Sequence, residues 1–316
     1  MALVSVVIPA YNAVRYLGAA IESALGQTIR DIEIIVVDDG SNDGTEEAVA
    51  RYGASVRYLR QSNSGVAVAR NHGVERSRSE YVAFLDADDA WLPHKLETQL
   101  AAMRAKPMRR ACYSTFILAD IDLKPIRVHE SPRRGALLED LLLIGNVVGT
   151  PTTVVCERAL LNASGGFDPA LSLCADWEMW IRLSQSSDFA YVKQPLALYR
   201  QHSANMSRDL KLYERDAMLV LDKIFSGTRL SEPLKAQRRR SYGHMRTVLA
   251  GSYLHAFHLR DFLRCAVSAV VLDWRQLGYF AGFPLRRAIG VLARDRARYD
   301  QIDQRDDRRQ ATGKDD

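Results

Sequence analysis

The stretch VSVVIPAYNAVRYLGAAIESALGQTIRDIEIIVVDDGS, residues 4–41, decides the fold. It begins with a continuous apolar run of strand type at 4–10. Apolar residues then recur at helical spacing: Val14, Leu17, Ile21 and Leu25. A second run, rich in β-branched residues, follows at 32–37 and ends abruptly in acidic and polar residues. Strand, helix and strand in this order are typical of two parallel strands joined by a crossover helix.

The same alternation continues as far as residue 105. Strands are predicted at 55–60 and 81–85, and helices at 44–52, 65–77 and 93–105. This pattern is typical of an α/β fold with a mostly parallel central sheet and helices on both faces. In such sheets ligands bind at the carboxyl ends of the strands, and there this chain carries polar clusters. The pattern therefore predicts a binding site at that end of the sheet.

Local signals also predict where two of these helices begin. Asp43 followed by Glu46 predicts a capping box for the helix at 44–52. Pro93 is predicted to be the first residue of the helix at 93–105, because proline is favoured at that position.

Beyond residue 110 the pattern has a mixed part and then a helical part. The mixed part is predicted to contain strands at 111–118, 152–156 and 189–199, and helices at 136–143 and 176–185. Only helices are predicted beyond it, at 207–226, 231–257, 259–274 and 284–297. We therefore predict a first domain at 1–206, a basic helical region at 207–297 and a flexible charged tail at 298–316.

Composition excludes several classes of protein. The chain has 316 residues, of which 47% are hydrophobic and 26% charged, so it is neither disordered nor fibrous. No apolar run reaches the roughly 18 residues that a membrane span requires. The first residues lack a basic segment and are typical of a strand rather than a signal peptide. The cysteines, at 112, 156, 174 and 265, contain no C-x-x-C pair, which indicates reduced thiols in a cytoplasmic protein.

The formal net charge of +5 is distributed unevenly. Residues 1–207 carry 21 basic and 24 acidic side chains, whereas residues 208–316 carry 22 and 14. Residues 229–298 alone carry 14 basic and 4 acidic side chains. A basic segment of this kind attracts nucleic acid or an anionic membrane surface. We expect no nucleic-acid partner, because basic and aromatic residues do not alternate here as they do in RNA-binding proteins.

Asp86 and Asp88 lie two residues apart at the end of the predicted strand at 81–85. Side chains at this spacing leave a strand on the same face, so the two carboxylates repel unless a cation or hydrogen-bond donors lie between them. Hard oxygen ligands of this kind favour Mg²⁺ or Mn²⁺. The alternative is a solvated acidic loop that caps the following helix.

Three other polar positions follow predicted strands or begin a helix. Asp39, in the sequence DDGS, could accept a hydrogen bond from a base or a ribose, or could act only in turn formation. Tyr11 and Asn12 follow the first strand, where they could stack on and hydrogen-bond to a ring. Arg70 shares a helix face with small residues, so a phosphate or carboxylate partner is expected, with a structural ion pair to a strand-end aspartate as the alternative.

Asp176 and His202 are the candidates in the second half of the first domain. Asp176 begins the predicted helix DWEMWIRL, where an aspartate is either a helix cap or a rigidly held general base. His202, in YRQHSANMS, is either a structural residue, a metal ligand or a phosphate contact.

Taken together, these segments resemble an inverting family 2 glycosyltransferase of the glycosyltransferase-A fold. The matching segments are VSVVIPAYNA (4–13), IIVVDDGSNDGT (34–45), NSGVAVARNHG (63–73), YVAFLDADDAWLPHKL (81–96), GTPTTVV (149–155), GGFDPALSLCADWEMWIRL (165–183) and YRQHSANMS (199–207). The ordered set is highly specific, although each segment alone is weak. The resemblance covers about 205 residues and implies that 1–206 is a nucleotide-sugar-binding catalytic domain.

The resemblance implies a role for each matching residue. Asp39 would bind the nucleobase, Asp86 the ribose or phosphate, and Asp88 the metal. His202 is the other predicted metal ligand, although the resemblance itself does not assign it. Asp176 would be the catalytic base, and Arg70 would orient Asp39 or a phosphate. The remaining predicted contacts with the donor are Pro9, Ala10, Tyr11, Asn12, Gly65 and Ala87.

The implied activity is transfer of a hexosyl or N-acetylhexosaminyl group with inversion, from a nucleoside-diphosphate sugar to a hydroxyl of a glycan or lipid-linked acceptor. The implied cofactor is Mg²⁺ or Mn²⁺, and the implied donor is a UDP-sugar, with TDP and GDP as alternatives. Bacterial surface-polysaccharide biosynthesis is the implied setting. The family often has Glu-Asp before the last motif, whereas this chain has Ala175-Asp176. Absence of a Q-x-x-R-W motif argues against a processive polymerase.

Two other functions and two locations also follow from the sequence. A nucleotidyltransferase is one alternative, but VSVVIPAYNAVRYLG lacks the basic Gly-rich loop that such an enzyme needs. A sugar-nucleotide-binding protein without transfer activity is the other. The basic helical region either packs on the catalytic domain or on a homodimer partner, or it attaches to an anionic membrane surface. In the second case the protein is peripheral at the inner face of the plasma membrane.

Overall fold

The computed structural model describes residues 2–106, 108–131, 136–203 and 205–281. The chain forms two compact units. Unit 1 contains residues 1–141 and 146–200, and unit 2 contains 142–145 and the residues from 201 onward. The predicted helix at 284–297 and the predicted tail at 298–316 lie outside the described residues.

Unit 1 contains a mixed sheet. Its strands are β1 (Val4–Ala10), β2 (Ile32–Asp38), β3 (Arg57–Arg60), β4 (Tyr81–Phe84), β5 (Ala90–Trp91), β6 (Ala111–Ala119), β7 (Pro125–His129), β8 (Val154–Glu157) and β9 (Phe189–Arg200). The strand order is β3-β2-β1-β4-β8-β6-β9-β5, and β7 pairs with β6. β3, β2, β1 and β4 are parallel, as are β6 and β9. The other pairs are antiparallel.

The helices of this part of the chain are α1 (Val14–Leu25), α2 (Thr45–Ala50), α3 (Val66–Arg76), α4 (Lys95–Arg104), α5 (Leu137–Leu143), α6 (Arg158–Ser164) and α7 (Ala175–Ser184). The predicted α/β fold is confirmed, and every strand predicted up to residue 200 is present. β5, β7 and α6 were not predicted, because each is short or lacks a clear apolar period.

Alternate residues of the parallel strands pack on opposite faces of the sheet. Val6 of β1 and Ile34 of β2 share a buried cluster with α1 and α4. Ile35 and Val37 point the other way and pack against Ala69 of α3. Since both faces are covered, the strands are apolar at every position, which is why they occur in the sequence as continuous runs.

Gly73 lets α3 approach the sheet closely. A Cβ atom at this position would lie only 2.3 Å from Cγ1 of Val7 in β1 and 3.3 Å from Cγ2 of Val37 in β2. Neither valine can move, because both are in central strands with no solvent-exposed surface. The glycine therefore fixes the separation between the sheet and the helix that carries Arg70.

The two predicted helix starts are wrong in detail. α4 begins at Lys95, and Pro93 lies in the preceding turn, where its carbonyl accepts a hydrogen bond from the Thr28 N–H (2.9 Å). Asp43 does not form a capping box. Its Oδ1 accepts hydrogen bonds from the Thr45 N–H and hydroxyl, while Glu46 forms an ion pair with Arg60. The capping box does not form because Glu46 pairs instead with Arg60 of the neighbouring strand β3.

Unit 2 is helical in its described part. Its helices are α8 (Leu210–Ser226), α9 (Glu232–Lys235), α10 (Arg238–His255), α11 (Leu259–Leu272) and α12 (Gln276–Ala281). The single helix predicted at 231–257 is therefore two, separated by a turn at 236–237. α11 packs closely on α10, because Gly243 and Ala269 present almost no side chain where the two helices meet.

The cysteines at 112, 156, 174 and 265 are free, as predicted, and all four are buried. Burial raises the pKa of the Cys112 thiol to about 12, so this thiol is held in its neutral form. Among the described residues, no helix is long and apolar enough to cross a membrane.

We predict that Gly73→Ala destabilises the protein by about 1–3 kcal/mol, because the added methyl group overpacks the contact with Val7. Gly18→Ala is the matched control, since Gly18 also lies within a helix but a Cβ there would be 3.5 Å from the Tyr52 hydroxyl. The control should gain about 0.5–1 kcal/mol from helix propensity. Urea unfolding of both variants measures this, and equal effects would contradict the close approach.

Candidate active site

The carboxyl ends of β1, β2 and β4 lie side by side and carry the predicted site residues. Ala10, the last residue of β1, is opposite Asp38, the last residue of β2. β4 ends at Phe84, whose partner is Val7, so the acidic turn 86–89 follows at the same end of the sheet. The parallel topology therefore brings three polar segments together that are far apart in the sequence.

The aspartate that ends β2, Asp38, is structural. Oδ1 of Asp38 accepts a hydrogen bond from the Ser41 N–H (2.8 Å), and Oδ2 accepts one from the Tyr58 hydroxyl (2.5 Å). Burial and this carboxylate raise the pKa of Tyr58. Asp38 has no solvent-exposed surface, so it is not accessible to a ligand.

Asp39 holds the loop that precedes α3. Its Oδ1 accepts hydrogen bonds from the Gln61 amide and the Ser64 N–H, and its Oδ2 accepts one from the Gly65 N–H, each at 2.8 Å. Gly65 has a φ of +92°, a conformation that favours glycine, and it immediately precedes the first turn of α3. A carboxylate has about four acceptor positions, so these contacts leave about one for a nucleobase.

Asn12 joins the end of β1 to the loop after β2. The Asn12 N–H donates to the Ser41 hydroxyl (2.9 Å), and its Oδ1 accepts from the Asn42 N–H (3.0 Å). Tyr11 is about half exposed and presents its ring to solvent. The side chains of Pro9 and Ala10 are buried, so any contact they make with a donor involves the backbone.

Arg70 and Asp86 form a mostly buried ion pair. Nη2 of Arg70 donates to Oδ1 of Asp86 at 2.6 Å, and the Thr152 hydroxyl accepts from the Asp86 N–H at 3.1 Å. Arg70 therefore forms the structural ion pair with a strand-end aspartate, and its predicted role in orienting Asp39 or a phosphate stays a prediction. Arg70 also lies over the ring of Phe167, with 5.5 Å between Cζ and the ring centre. Its Nε is buried without a hydrogen-bond partner among the described residues.

Asp89 anchors the acidic turn, a role that sequence reasoning missed. It is fully buried, and its carboxylate accepts hydrogen bonds from the Thr152 hydroxyl (2.6 Å) and the Arg200 N–H (3.0 Å). Its pKa is raised well above the usual value by burial and then by the negative charges of Asp88 and Asp86. The three carboxylates are therefore close enough to interact electrostatically, while Ala87 between them is buried.

Arg200 holds the acidic turn, and Lys95 is another buried basic residue of unit 1. Nε of Arg200 donates to the carbonyl oxygen of Asp88 at 2.6 Å, and Nη1 donates to the carbonyl of Ile121. Lys95 is fully buried with its ammonium nitrogen 4.2 Å from the centre of the Trp91 ring. Burial lowers the pKa of Lys95 to about 7, so this side chain loses much of its charge near neutral pH.

Asp176 is the second residue of α7 and is buried. It is not the helix cap, because the cap position is Cys174. Oδ1 of Asp176 accepts from the Trp177 N–H (2.7 Å), and Oδ2 accepts from the amide of Asn146 (2.9 Å). Burial raises the pKa of Asp176 to about 6, although the charge of Arg70 and both hydrogen bonds oppose the shift. A carboxylate with this pKa is basic enough to accept a proton near neutral pH.

Asn146 is the other site residue that sequence reasoning missed. Its amide donates to the carbonyl of Gly149 (3.3 Å), and its Oδ1 accepts from the Gly149 N–H (3.2 Å). Gly149 in turn has a φ of +92° and lies against the ring of Phe116. The loop thus fixes the amide that orients Asp176. The only signal in the sequence is the polar pair at 145–146 ahead of GTPTTVV, which is too common to indicate a role.

Long-range hydrogen bonds fix α7 next to α3. Both the N–H and the carbonyl of Phe167 are bonded to the side chain of Asn71, the neighbour of Arg70 (2.7 Å each). Arg182 of α7 forms a bidentate ion pair with Glu178 and donates to the carbonyls of Ser164 and Gly166. These contacts explain why the GGFD turn and the W-E-x-W-x-R-L helix occur together.

Electrostatic interactions couple Asp176 of α7 to Arg70 of α3 and to Asp86 after β4. The pKa of Asp176 responds to the charges of both Arg70 and Asp86, so the three groups form one electrostatic cluster within unit 1. His202 lies in unit 2, where its backbone N–H donates to Oδ1 of Asn205. Its predicted role as a metal ligand stays a prediction. In the described part of the chain, no three His, Cys, Asp or Glu side chains are grouped as a complete metal site.

Comparison with known proteins shows the family. The family described as "Glycosyl transferase family 2" matches residues 5–163, half of the chain, including the strand ends that carry Asp39 and Asp86. The chain belongs to glycosyltransferase family 2.

Curated relatives support this assignment and vary in length. A Bacillus subtilis glycosyltransferase named for teichuronic acid biosynthesis, TuaG, is 45% identical over 209 residues, which are 63% of this chain and 79% of TuaG. The chondroitin synthase of Escherichia coli is 31% identical over 71% of this chain but only 33% of its own length. An uncharacterised Rickettsia typhi glycosyltransferase is 31% identical, and the match spans 65% of its length.

Solved structures show the fold. S. aureus TarS 1–349 in complex with UDP-GlcNAc has a TM-score of 0.64 at 16% identity and covers 85% of this chain and 81% of its own. A mannosyltransferase from Pyrobaculum calidifontis in complex with GDP-Man and Mn²⁺ has a TM-score of 0.56 at 18% identity, covering 93% of this chain and 79% of its own. The predicted glycosyltransferase-A fold, with its C-terminal helical region, is therefore confirmed.

We predict that Asp176→Asn gains stability relative to wild type as the pH rises. The carboxyl group has a pKa of about 6 when folded and 3.8 as its ordinary value, so the folded state favours the protonated form. The free energy of unfolding of the wild-type protein therefore falls as the pH rises through about 6. The Asp176→Asn variant avoids this loss, because its amide stays neutral. Between about pH 5 and pH 8 the variant should gain about 1.5 kcal/mol on wild type.

Guanidinium unfolding at the two pH values measures this difference. Any hydrogen bond that the amide loses is independent of pH, so it cancels in the comparison. Asp31→Asn, at an exposed acid that precedes β2, is the control and should show no such difference. A gain that does not change with pH would contradict the raised pKa.

Proposed function

We propose that this protein is a metal-dependent inverting glycosyltransferase. It would move a hexosyl or N-acetylhexosaminyl group from a nucleoside-diphosphate sugar to a hydroxyl of a glycan or lipid-linked acceptor. The observation that carries the proposal is the buried carboxylate of Asp176, which has a pKa of about 6 and is electrostatically coupled to Arg70 and Asp86. A carboxylate in this position can act as the general base that an inverting transfer requires.

The donor would lie across the carboxyl ends of β1, β2 and β4. Tyr11 offers an exposed ring for stacking, and the remaining acceptor position of Asp39 could bind an N–H of the base. Gly65 leaves room for a close approach, since no atom lies within 4 Å of the position where its Cβ would be. UDP is the expected nucleotide. Related structures contain UDP-GlcNAc in one case and GDP-Man in another, so GDP and TDP donors are the alternatives.

The residues present fit a divalent metal. Asp88 is only partly buried, and its charge lies close enough to Asp86 and Asp89 to raise the pKa of the latter. Carboxylate oxygens are the ligands that Mg²⁺ and Mn²⁺ prefer, and such ions usually complete their shell with phosphate oxygens and water. Asp88 would hold the ion, with His202 as the other predicted ligand. When bound, the ion would neutralise charge on the leaving diphosphate.

Asp176 would take the proton of the acceptor hydroxyl as that oxygen attacks the anomeric carbon. The new bond joins the acceptor oxygen to this carbon, and the bond from the carbon to the diphosphate oxygen breaks with its electron pair. The nucleoside diphosphate leaves on the opposite side, so a single displacement inverts the configuration. Asn146 would be a positioning residue, because its amide holds Oδ2 of Asp176 and helps keep the carboxylate ionised.

The setting we propose is bacterial polysaccharide biosynthesis in the cytoplasm. The names of two relatives, which refer to teichuronic acid and chondroitin, support a glycan acceptor. The chain matches 65% of the length of the first Rickettsia relative and 33% of the chondroitin synthase, so the activity of those whole proteins is not transferred to it. A panel of sugar nucleotides, assayed by released nucleoside diphosphate, would identify the donor. Release of pyrophosphate instead would indicate a nucleotidyltransferase.

We predict that Asp176→Asn reduces sugar transfer by about a thousandfold or more while the affinity for the donor changes by less than about threefold. The amide has nearly the same shape but cannot accept the proton. Donor affinity is measured by calorimetry, and transfer by release of nucleoside diphosphate. Asp31→Asn serves as the control with unchanged activity. If donor affinity falls together with the rate, Asp176 is a binding or structural residue instead.

We also predict that Asp88→Asn weakens binding of Mn²⁺ by about tenfold or more, because the variant loses the charged ligand. Electron paramagnetic resonance measures free Mn²⁺ in the presence of a nucleoside diphosphate, independently of turnover. Glu47→Gln, at an exposed acid of α2, is the control for loss of one negative charge. Unchanged Mn²⁺ affinity in Asp88→Asn, or full wild-type activity in excess chelator, would refute the metal assignment.

A further inference from the structure

We propose that the exposed apolar side of α11 docks unit 2 onto the surface of an anionic lipid bilayer. This docking stripe consists of aliphatic side chains four residues apart: Leu259, Leu263, Val267 and Val271. Each is between 59% and 69% exposed. Since an α-helix rises 1.5 Å per residue, the stripe runs about 18 Å along one side of the helix. An exposed apolar surface of this length marks an interaction site.

The docking stripe is not the side of α11 that packs inside the protein. Cys265 and Ala269, on the opposite side, are fully buried. Leu249 and Tyr253 of α10 are also fully buried, so these two side chains are unavailable for attachment. α11 therefore has one apolar side for packing and a second that faces solvent, whereas a surface helix of a globular protein is normally polar on its outer side.

Exposed aromatic residues extend the docking stripe beyond the end of α11. Trp274 is 72% exposed, and Leu277 and Tyr279 are about half exposed. Tryptophan and tyrosine are favoured at the boundary between lipid chains and headgroups, because each has an apolar body and a polar group. An amphipathic helix that lies in this boundary buries its apolar side by about 5–10 Å.

Basic residues border the docking stripe. Arg260 and Arg275 are exposed beside it, and Arg239 donates to the carbonyl oxygens of Val271 (3.0 Å) and Leu272 (3.3 Å) at its end. The described residues 205–281 contain thirteen basic and seven acidic side chains, so the docking stripe lies in a region of excess positive charge. This excess favours an anionic surface.

Charge also distinguishes the three possible occupants of the docking stripe: a second copy of the chain, the C-terminal residues of the same chain, and anionic lipid. A second copy of the chain would place Arg260 and Arg275 of one copy against the same basic border of the other. Residues 282–316 contain nine basic and seven acidic residues, so as a whole they carry no net negative charge that would complement the basic border. Anionic lipid headgroups complement the basic border, and lipid chains can cover the aliphatic residues.

Trp274 provides a direct measurement of docking. The other tryptophans, Trp91, Trp177 and Trp180, are buried, so selective quenching by acrylamide reports mainly on Trp274. The full chain is mixed with phosphatidylcholine vesicles that contain or lack phosphatidylglycerol. We expect co-sedimentation with the anionic vesicles at low ionic strength, a blue shift of the fluorescence, protection from acrylamide and about tenfold less binding at high ionic strength.

Two variants distinguish vesicle binding through the docking stripe from nonspecific binding of the protein to vesicles. Leu263→Ser with Val267→Ser should reduce vesicle binding by about tenfold or more and leave sugar transfer in solution unchanged. Met108→Ser, at an exposed apolar residue of unit 1, should bind vesicles like wild type. No donor or acceptor is present in the vesicle assay, so the result stands independently of the proposed transfer mechanism.

Four results would overturn the proposal. Equal binding to neutral vesicles, or no binding to anionic ones, would exclude an anionic surface as the occupant. A dimer that the double variant dissociates in light scattering would assign the docking stripe to a second copy. Protection of Trp274 from acrylamide in the absence of vesicles would show that another part of the chain already covers it.

Discussion

The ion pair between Arg70 and Asp86 is the interaction on which the arrangement of the site depends. It links α3 to the acidic turn after β4, and Gly73 fixes the distance of α3 from the sheet. A buried arginine needs a carboxylate partner, because an unpaired charge in this environment would be strongly destabilising. The positive charge of Arg70 also lowers the pKa of Asp176, which burial raises. The guanidinium of Arg70 therefore fixes the position of the Asp86 carboxylate and lowers the pKa of the Asp176 carboxylate.

The aspartates at this end of the sheet differ in role because they differ in environment. Asp38 and Asp89 are fully buried with hydrogen-bond donors on both oxygens, which suits them to hold loops in place. Asp39 holds the Gly65 loop but keeps part of its accepting capacity. Asp176 is buried with two donors and a raised pKa, so the folded protein loses some stability at neutral pH. Strongly perturbed pKa values cluster at functional sites, in agreement with the role that we propose for Asp176.

Unit 2 is stabilised differently from unit 1. Its helices pack through small residues such as Gly243 and Ala269, and its ion pairs centre on Glu214, which receives Arg246, Arg264 and the Tyr253 hydroxyl. These contacts lower the pKa of Glu214 to about 2, so the network stays charged over the physiological range. The side of α11 that faces the interior of unit 2 is therefore occupied by packing and ion-pair contacts. Its exposed apolar side remains available to an external surface.

The sequence by itself determined the α/β fold, the parallel strands β1 to β4 and the positions of the acidic strand ends. These features are local, since the period of apolar residues and the turn residues are read within a few positions. Tertiary structure decided which polar groups meet. The bonds from Asn146 to Asp176, from Asn71 to Phe167 and from Arg200 to Asp89 join residues 30 to 111 positions apart. It also decided which side of α11 faces solvent, because helical spacing gives the apolar sides of a helix but not its neighbours.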